Sequence, residues 1–362
     1  MSWEKEAEEI QLRREKALQM GGEDRVERHK SQGKLTIRER ISGLLDRASF
    51  LEVGQLTGDA VWEKGQFKDI TPAPYVMGMG KIDGRWIAVG GEDFTVRGGS
   101  SAGLARRKGG QGGFVEDMAK EYHIPLVNLI DGVGANVSSA IKSKFKRLPA
   151  KDGYERALEL LGIVPVVSAV LGSTAGGPAG RAVLSHFSVM VRGSSQLFAA
   201  GPPVVERALS RKVDKEEMGG AHIACDKAGT IFNAVNSEEE AFEQIRRYLS
   251  YLPQNVWQAP PFVDTGDPPD RVEDELISIV PRNRMRPYSM HRVIELVFDK
   301  ESFFEIQPTY GIGMIVGFAR LGGYPVGVIA NNPSHNAGAP DARDSRKMGH
   351  FTSVCDQFHI PL

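Results

Sequence analysis

Apolar and polar positions along the chain repeat one pattern twice. Met77-Gly78-Met79-Gly80-Lys81-Ile82-Asp83-Gly84-Arg85-Trp86-Ile87-Ala88-Val89 predicts a strand, a glycine turn and a second strand, and Val316-Gly317-Phe318-Ala319-Arg320-Leu321-Gly322-Gly323-Tyr324-Pro325-Val326-Gly327-Val328 predicts the same. Upstream, Asp46-Arg47-Ala48-Ser49-Phe50-Leu51-Glu52-Val53 matches Asp299-Lys300-Glu301-Ser302-Phe303-Phe304-Glu305-Ile306. Each is preceded by an amphipathic turn, with Ile41, Leu44 and Leu45 in one copy and Ile294, Val297 and Phe298 in the other. Downstream, Tyr122-His123-Ile124-Pro125-Leu126 matches Phe358-His359-Ile360-Pro361-Leu362. Three matches in one order predict two similar α/β domains in tandem.

In the first copy the chain continues into Val127–Ile130, an apolar run of the kind found in strands buried on both faces, and later into a second such run, Val164–Leu171. Ser237-Glu238-Glu239-Glu240 reads as a capping box. Ala241, Phe242, Ile245, Tyr248, Leu249 and Leu252 then follow helical spacing and close the first domain. The Pro-rich segment 258–270 predicts a stiff linker. The expected domains are therefore 1–257 and 271–362. The second copy stops at Leu362, inside the strand equivalent to Val127–Ile130, so it is expected to be incomplete in a C-terminally truncated chain.

Composition narrows the function classes. The 362 residues carry 45 Lys and Arg against 46 Asp and Glu, a formal net charge of −1, which gives no global electrostatic drive toward nucleic acid or anionic membranes. The longest apolar run falls far short of the roughly 18 residues of a bilayer span, and the first residues are too charged for a signal peptide. The only cysteines, Cys225 and Cys355, form no CxxC pair, and no His spacing suggests a metal site. A cytoplasmic protein without a metal is expected.

Both apolar runs end in glycine-rich turns, Asp131-Gly132-Val133-Gly134-Ala135-Asn136 and Gly172-Ser173-Thr174-Ala175-Gly176-Gly177-Pro178. Such turns leave backbone N–H groups unshielded and suit an oxyanion or a phosphate. They equally suit close packing with no ligand. Neither has the P-loop or the dinucleotide spacing, and Ser173 lacks the context of a nucleophile elbow. The segment Arg97-Gly98-Gly99-Ser100 to Arg106-Arg107-Lys108 is a Gly/Ser turn with a basic cluster suited to phosphates, or to a solvated helix start. His123 and His359 read as structural. Many open amides and no nucleophile point to chemistry through a stabilised enolate, with reactive groups supplied by substrate or cofactor.

Gly33-Lys34-Leu35-Thr36-Ile37-Arg38-Glu39-Arg40-Ile41 resembles the start of the biotin-dependent acyl-CoA carboxyltransferases, the β subunits of propionyl-CoA and methylcrotonyl-CoA carboxylases. Asp93–Ser100, Gly172–Gly177, Gly201-Pro202-Pro203-Val204-Val205, Met218–Ala221, Leu249–Pro253, Gly323–Pro333 and Cys355–Leu362 are similar to that family, in its order. The resemblance implies tandem crotonase-like (ClpP/crotonase) domains, the second incomplete, with acyl-CoA bound by the first and carboxybiotin by the second. It implies a homo-oligomer, at least a dimer and in all expectation a hexamer, whose sites form between subunits. It also implies a separate biotin carboxylase and biotin carboxyl carrier. Carried over residue by residue, the amide pair falls at Val133 and Gly134, with Ala175, Gly176 and Gly177 lining the pocket. Gly98, Gly99, Arg106, Arg107 and Lys108 become the contacts for coenzyme A. The chain departs from the family's Ser-Gly-Gly-Ala-Arg at Val133 and Asn136, and the biotin-side turn would follow Leu362. A decarboxylase or transcarboxylase component, or a non-catalytic CoA-binding scaffold, are the alternative readings.

Overall fold

The computed structural model describes residues 2–100, 106, 108, 113–134, 154–268, 270–283 and 285–362. The chain forms two compact units, one of residues 1–221 with 234–243 and one of residues 222–233 with 244–362. The first is built on strands β1 (Leu51–Glu52), β2 (Gly58–Glu63), β3 (Gln66–Pro72), β4 (Tyr75–Ile82), β5 (Arg85–Glu92), β6 (Leu126–Ile130), β7 (Val166–Val170), β8 (Ser173–Ala175), β9 (Phe187–Val191) and β10 (Gln196–Phe198), followed by β11 (Asn233–Val235). The main sheet has the order β1-β4-β5-β6-β7-β9-β11. The β1-β4-β5 part is antiparallel, and β5, β6, β7 and β9 run parallel. Every residue of β6, β7 and β9 is buried, which accounts for their largely apolar runs, interrupted once in each by Asn128, Ser168 and Ser188: a strand covered on both faces has no polar side to show. A two-stranded parallel pair, β8 and β10, extends beyond the β7 turn.

The second unit carries β12 (Phe304–Ile306), β13 (Met314–Leu321) and β14 (Tyr324–Asn331) in one antiparallel sheet, with helix Met290–Val297 before it and Ala342–Gln357 after it. It repeats the first unit's sequence helix Ile37–Leu44, β1, β4, β5, helix Val115–Tyr122, and the repeat is maintained by local hydrogen bonds. Asp46 accepts from the Asp83 and Gly84 amides at 3.0 and 2.8 Å, and Asp299 accepts from Gly322 and Gly323 at 2.8 and 2.7 Å. Ser49 Oγ donates to Asp46 O and accepts from Lys81 N–H; Ser302 Oγ donates to Asp299 O and accepts from Arg320 N–H. A side chain at Gly78 would lie 2.2 Å from Leu51 O, and one at Gly317 2.3 Å from Phe304 O, so both strands need glycine where the neighbouring strand crosses. His123 and His359 adopt the left-handed conformation that stops their helices, at φ 51° and 58°.

Residues 259–268 have no regular secondary structure and run along the second unit's hairpin. Val263 N–H donates to Gly323 O, Arg320 donates to Pro261 O, and the Phe262 ring packs on Tyr324. Deeper in this unit, Lys347 is buried and its ammonium donates to the carbonyls of Gln307, Tyr310 and Met314 at 2.8, 3.1 and 2.8 Å, with Gly311 O at 3.4 Å. Lys347→Met keeps the stem but leaves those carbonyls without their donor. Stability should fall by about 2–4 kcal/mol, read as a lower urea midpoint. An unchanged midpoint would mean that water replaces the ammonium.

Candidate active site

The two glycine-rich turns meet at the ends of β6 and β7. A side chain at Gly134 would lie 2.6 Å from Ala175 O and 3.6 Å from Gly176 Cα, so the turns touch backbone to backbone. Ala175 N–H donates to Gly132 O at 3.1 Å and Gly176 N–H to Phe198 O at 3.3 Å. Gly176, at φ 66° and ψ −126°, takes a backbone conformation open in practice only to glycine. Helix Gly177–Val183 starts directly after it.

Among the expected donors, the Val133 amide is already used: it donates to Gly98 O at 3.1 Å. The expected Val133–Gly134 pair therefore has one amide that is bound within the chain and one that, among the described residues, is not. Two amides remain without an acceptor among the described residues, those of Gly134 and Gly177. They belong to different turns, which touch where Gly134 meets Ala175 and Gly176. The Val133 side chain is 47% exposed beside Gly98. Arg107 and Asn136 lie outside the described residues.

The basic cluster does not present its described charges at the surface. Arg106 is 6% exposed, pairs with Glu116 and lies over the Tyr75 ring at 5.0 Å. Burial alone would weaken its affinity for a proton, but Glu116 outweighs that and raises the pKa above the ordinary arginine value. Lys108 is also 6% exposed, and burial brings its amine down to about 8, with Glu52 opposing the fall. Neither residue, as placed, reaches out to a phosphate, because both side chains are buried and Arg106 is bound to a buried carboxylate. Gly98 and Gly99 pack against the amide turn instead. A side chain at Gly99 would lie 2.5 Å from Asp131 O.

Beneath the turns lies a network that sequence reasoning missed. Arg40 is 1% exposed and sits in the helix Ile37–Leu44, which starts with a Thr36–Glu39 capping box. Its guanidinium donates to Asp131 Oδ2 at 3.1 Å, to Leu171 O at 2.9 Å and to both Glu238 oxygens at 2.7 Å. Lys34 Nζ approaches Asp131 at 3.4 Å. Burial opposes the charge, yet Asp131 and Glu238 more than offset it and the Arg40 pKa is raised. Asp131 directly follows β6 and Leu171 directly follows β7, so one side chain ties together the two strand ends that lead into the open amides. Gly172 is part of the same fit, since a side chain there would collide with the Asp131 carboxylate. A second buried pair, Arg181 with Glu92, fastens helix Gly177–Val183 to the end of β5.

Two glycine turns that meet backbone to backbone above the Arg40 and Arg181 ion pairs form the kind of backbone-amide site that suits an oxyanion. The carboxyl transferase domain family matches residues 28–362, and the chain belongs to that family. It is 38% identical to the propionyl-CoA carboxylase carboxyltransferase subunit of Haloferax mediterranei over 365 residues, covering 100% of this chain and 69% of that protein. It is 37% identical to the biotin-dependent acetyl-/propionyl-coenzyme A carboxylase beta5 subunit of Mycobacterium tuberculosis, covering 98% of this chain and 65% of that protein. Among solved structures, transcarboxylase 12S, a hexamer with methylmalonyl-coenzyme A bound, superposes with a TM-score of 0.87 at 31% identity, covering 100% of this chain and 69% of that one. The fold is thus the tandem crotonase-like carboxyltransferase fold, and the chain spans 65–69% of the length of these relatives. Among the described residues no helix is long and apolar enough to cross a membrane.

Proposed function

We propose that this chain is the carboxyltransferase part of a biotin-dependent acyl-CoA carboxylase acting on a short acyl-CoA of the propionyl type. It would work in the cytoplasm as a homo-oligomer, with a biotin carboxylase and a biotin carboxyl carrier as partners. The observation that carries the reading is the contact of the two glycine turns at Gly134, Ala175 and Gly176, where the Gly134 and Gly177 amides have no acceptor among the described residues. A thioester oxygen placed between them accepts two hydrogen bonds that strengthen as the α-carbon loses its proton and the oxygen gains charge. The chain's residues then hold the enolate and set its orientation toward the incoming carboxyl group. The carboxylate that follows β6, Asp131, is bound to Arg40 and Lys34 and is not free to remove that proton. This donor set therefore fits a carried co-substrate: carboxybiotin supplies the carbon dioxide and the base.

The test is carboxyl fixation by the full-length protein combined with its biotin carboxylase and carrier. Labelled bicarbonate should enter propionyl-CoA as an acid-stable carboxylate only with ATP, and avidin should abolish the incorporation. Acyl-CoA binding without transfer in either direction would overturn the reading in favour of a non-catalytic scaffold.

A further inference from the structure

We infer that the left-handed run Arg97-Gly98-Gly99, with the Ser100 hydroxyl that follows it, is a clamp that presets the Gly134 amide, and that Ser100 is a positioning residue for carboxyl transfer. The inference rests on the oxyanion role of Gly134 proposed above. The Gly134 N–H belongs to the peptide joining residues 133 and 134. Both peptides flanking it are held by one loop. On one side Val133 N–H donates to Gly98 O at 3.1 Å, and on the other Ser100 Oγ donates to Gly134 O at 2.7 Å. A peptide whose two neighbours are both fixed has little torsional freedom of its own, so its N–H keeps one direction before the substrate arrives. Preset donors stabilise developing charge without reorganising during the reaction.

The loop can do this only because of its backbone. Arg97, Gly98 and Gly99 have φ of 53°, 65° and 65°, which turns the Gly98 carbonyl and the Ser100 side chain toward the same turn. The second unit keeps the same run at Asn336, Ala337 and Gly338, with φ of 46°, 52° and 79°. Two of those three residues are not glycine, and a left-handed conformation costs a non-glycine residue free energy. The run is therefore held by both units despite its cost, and does not simply follow from a glycine pair.

The test uses the full-length enzyme with its partners. Ser100→Ala should lower kcat about 5- to 10-fold, with KM for the acyl-CoA and the thermal midpoint unchanged. Ser100→Thr, which keeps the hydroxyl, should restore most of the rate. Binding of a nitronate analogue of the acyl-CoA, whose anionic oxygen mimics the enolate, should weaken by the same factor as kcat, while unreactive CoA thioether binding stays constant. An unchanged kcat in Ser100→Ala, equal losses in the Ala and Thr variants, or a change confined to KM would overturn the clamp. Absence of transfer by the unmodified enzyme would instead overturn the proposed function, so the two failures are distinguishable.

Discussion

Replacing Gly177 by proline is expected to slow carboxyl transfer roughly 100- to 1,000-fold, the usual cost of losing one oxyanion donor. The substitution is chosen because it replaces the amide hydrogen with a ring carbon and so removes the donor. Gly177 is the first residue of helix Gly177–Val183, where the N–H has no intrahelical partner and proline is well tolerated. Nothing lies within 4 Å of a side chain built there. Gly177→Ala serves as the control: it fills the same open space but keeps the amide, and should stay within a few-fold of the unmodified rate. Steady-state kinetics with the assembled enzyme reads both. Equal losses in the proline and alanine variants would mean that the site senses bulk at position 177 and that its N–H takes no part. A proline variant with full activity would remove Gly177 from the oxyanion site altogether.

The largest expected effect on stability is that of Arg40→Met. Methionine has a similar reach but leaves Asp131 and Glu238 as buried carboxylates with only Lys34 beside the first. Removing one partner of a buried ion pair costs about 3–5 kcal/mol, because the stranded charge keeps its desolvation penalty. The urea midpoint of the first unit should drop accordingly. Arg40→Lys should recover only part of the loss, since an ammonium is not a planar fork and cannot serve Asp131, Glu238 and Leu171 O at once. Activity should fall further than a simple loss of folded protein predicts, because Asp131 and Leu171 directly follow the two strands that lead into the open amides. A destabilisation below about 1 kcal/mol would show that the strand ends are held by packing and not by this network.

The repeated frame was legible in the sequence because local chemistry encodes it. The Asp46 and Asp299 caps, the Ser49 and Ser302 hydroxyls, and the glycines at 78 and 317 are each required by neighbours a few residues away or one strand across. A local requirement leaves the same letters at the same spacing in both units. The strands β6 and β7 were legible for a related reason: burial on both faces leaves a short run almost wholly apolar, with only Asn128 and Ser168 as polar residues. The glycine turns after them were legible as turns because each follows a buried strand.

The identity of the open amides was decided only in the folded chain. Val133 and Gly134 are equivalent in a list of turn residues, and they differ because a loop more than thirty residues earlier supplies the Gly98 carbonyl to one of them. Arg40 is one of 45 basic residues, and only the convergence of Asp131, Leu171 and Glu238 makes it the tie beneath the site. The same convergence reassigned Arg106: charge in a sequence suggests solvent, but Glu116 and the Tyr75 ring take that guanidinium into the interior. The sequence alone settled the tandem α/β architecture and the position of the turns, since hydrogen bonds and burial within a few residues dictate them. The tertiary structure chose which donors stay free and which charges are spent, because those outcomes depend on groups that meet only after segments far apart in the chain have packed.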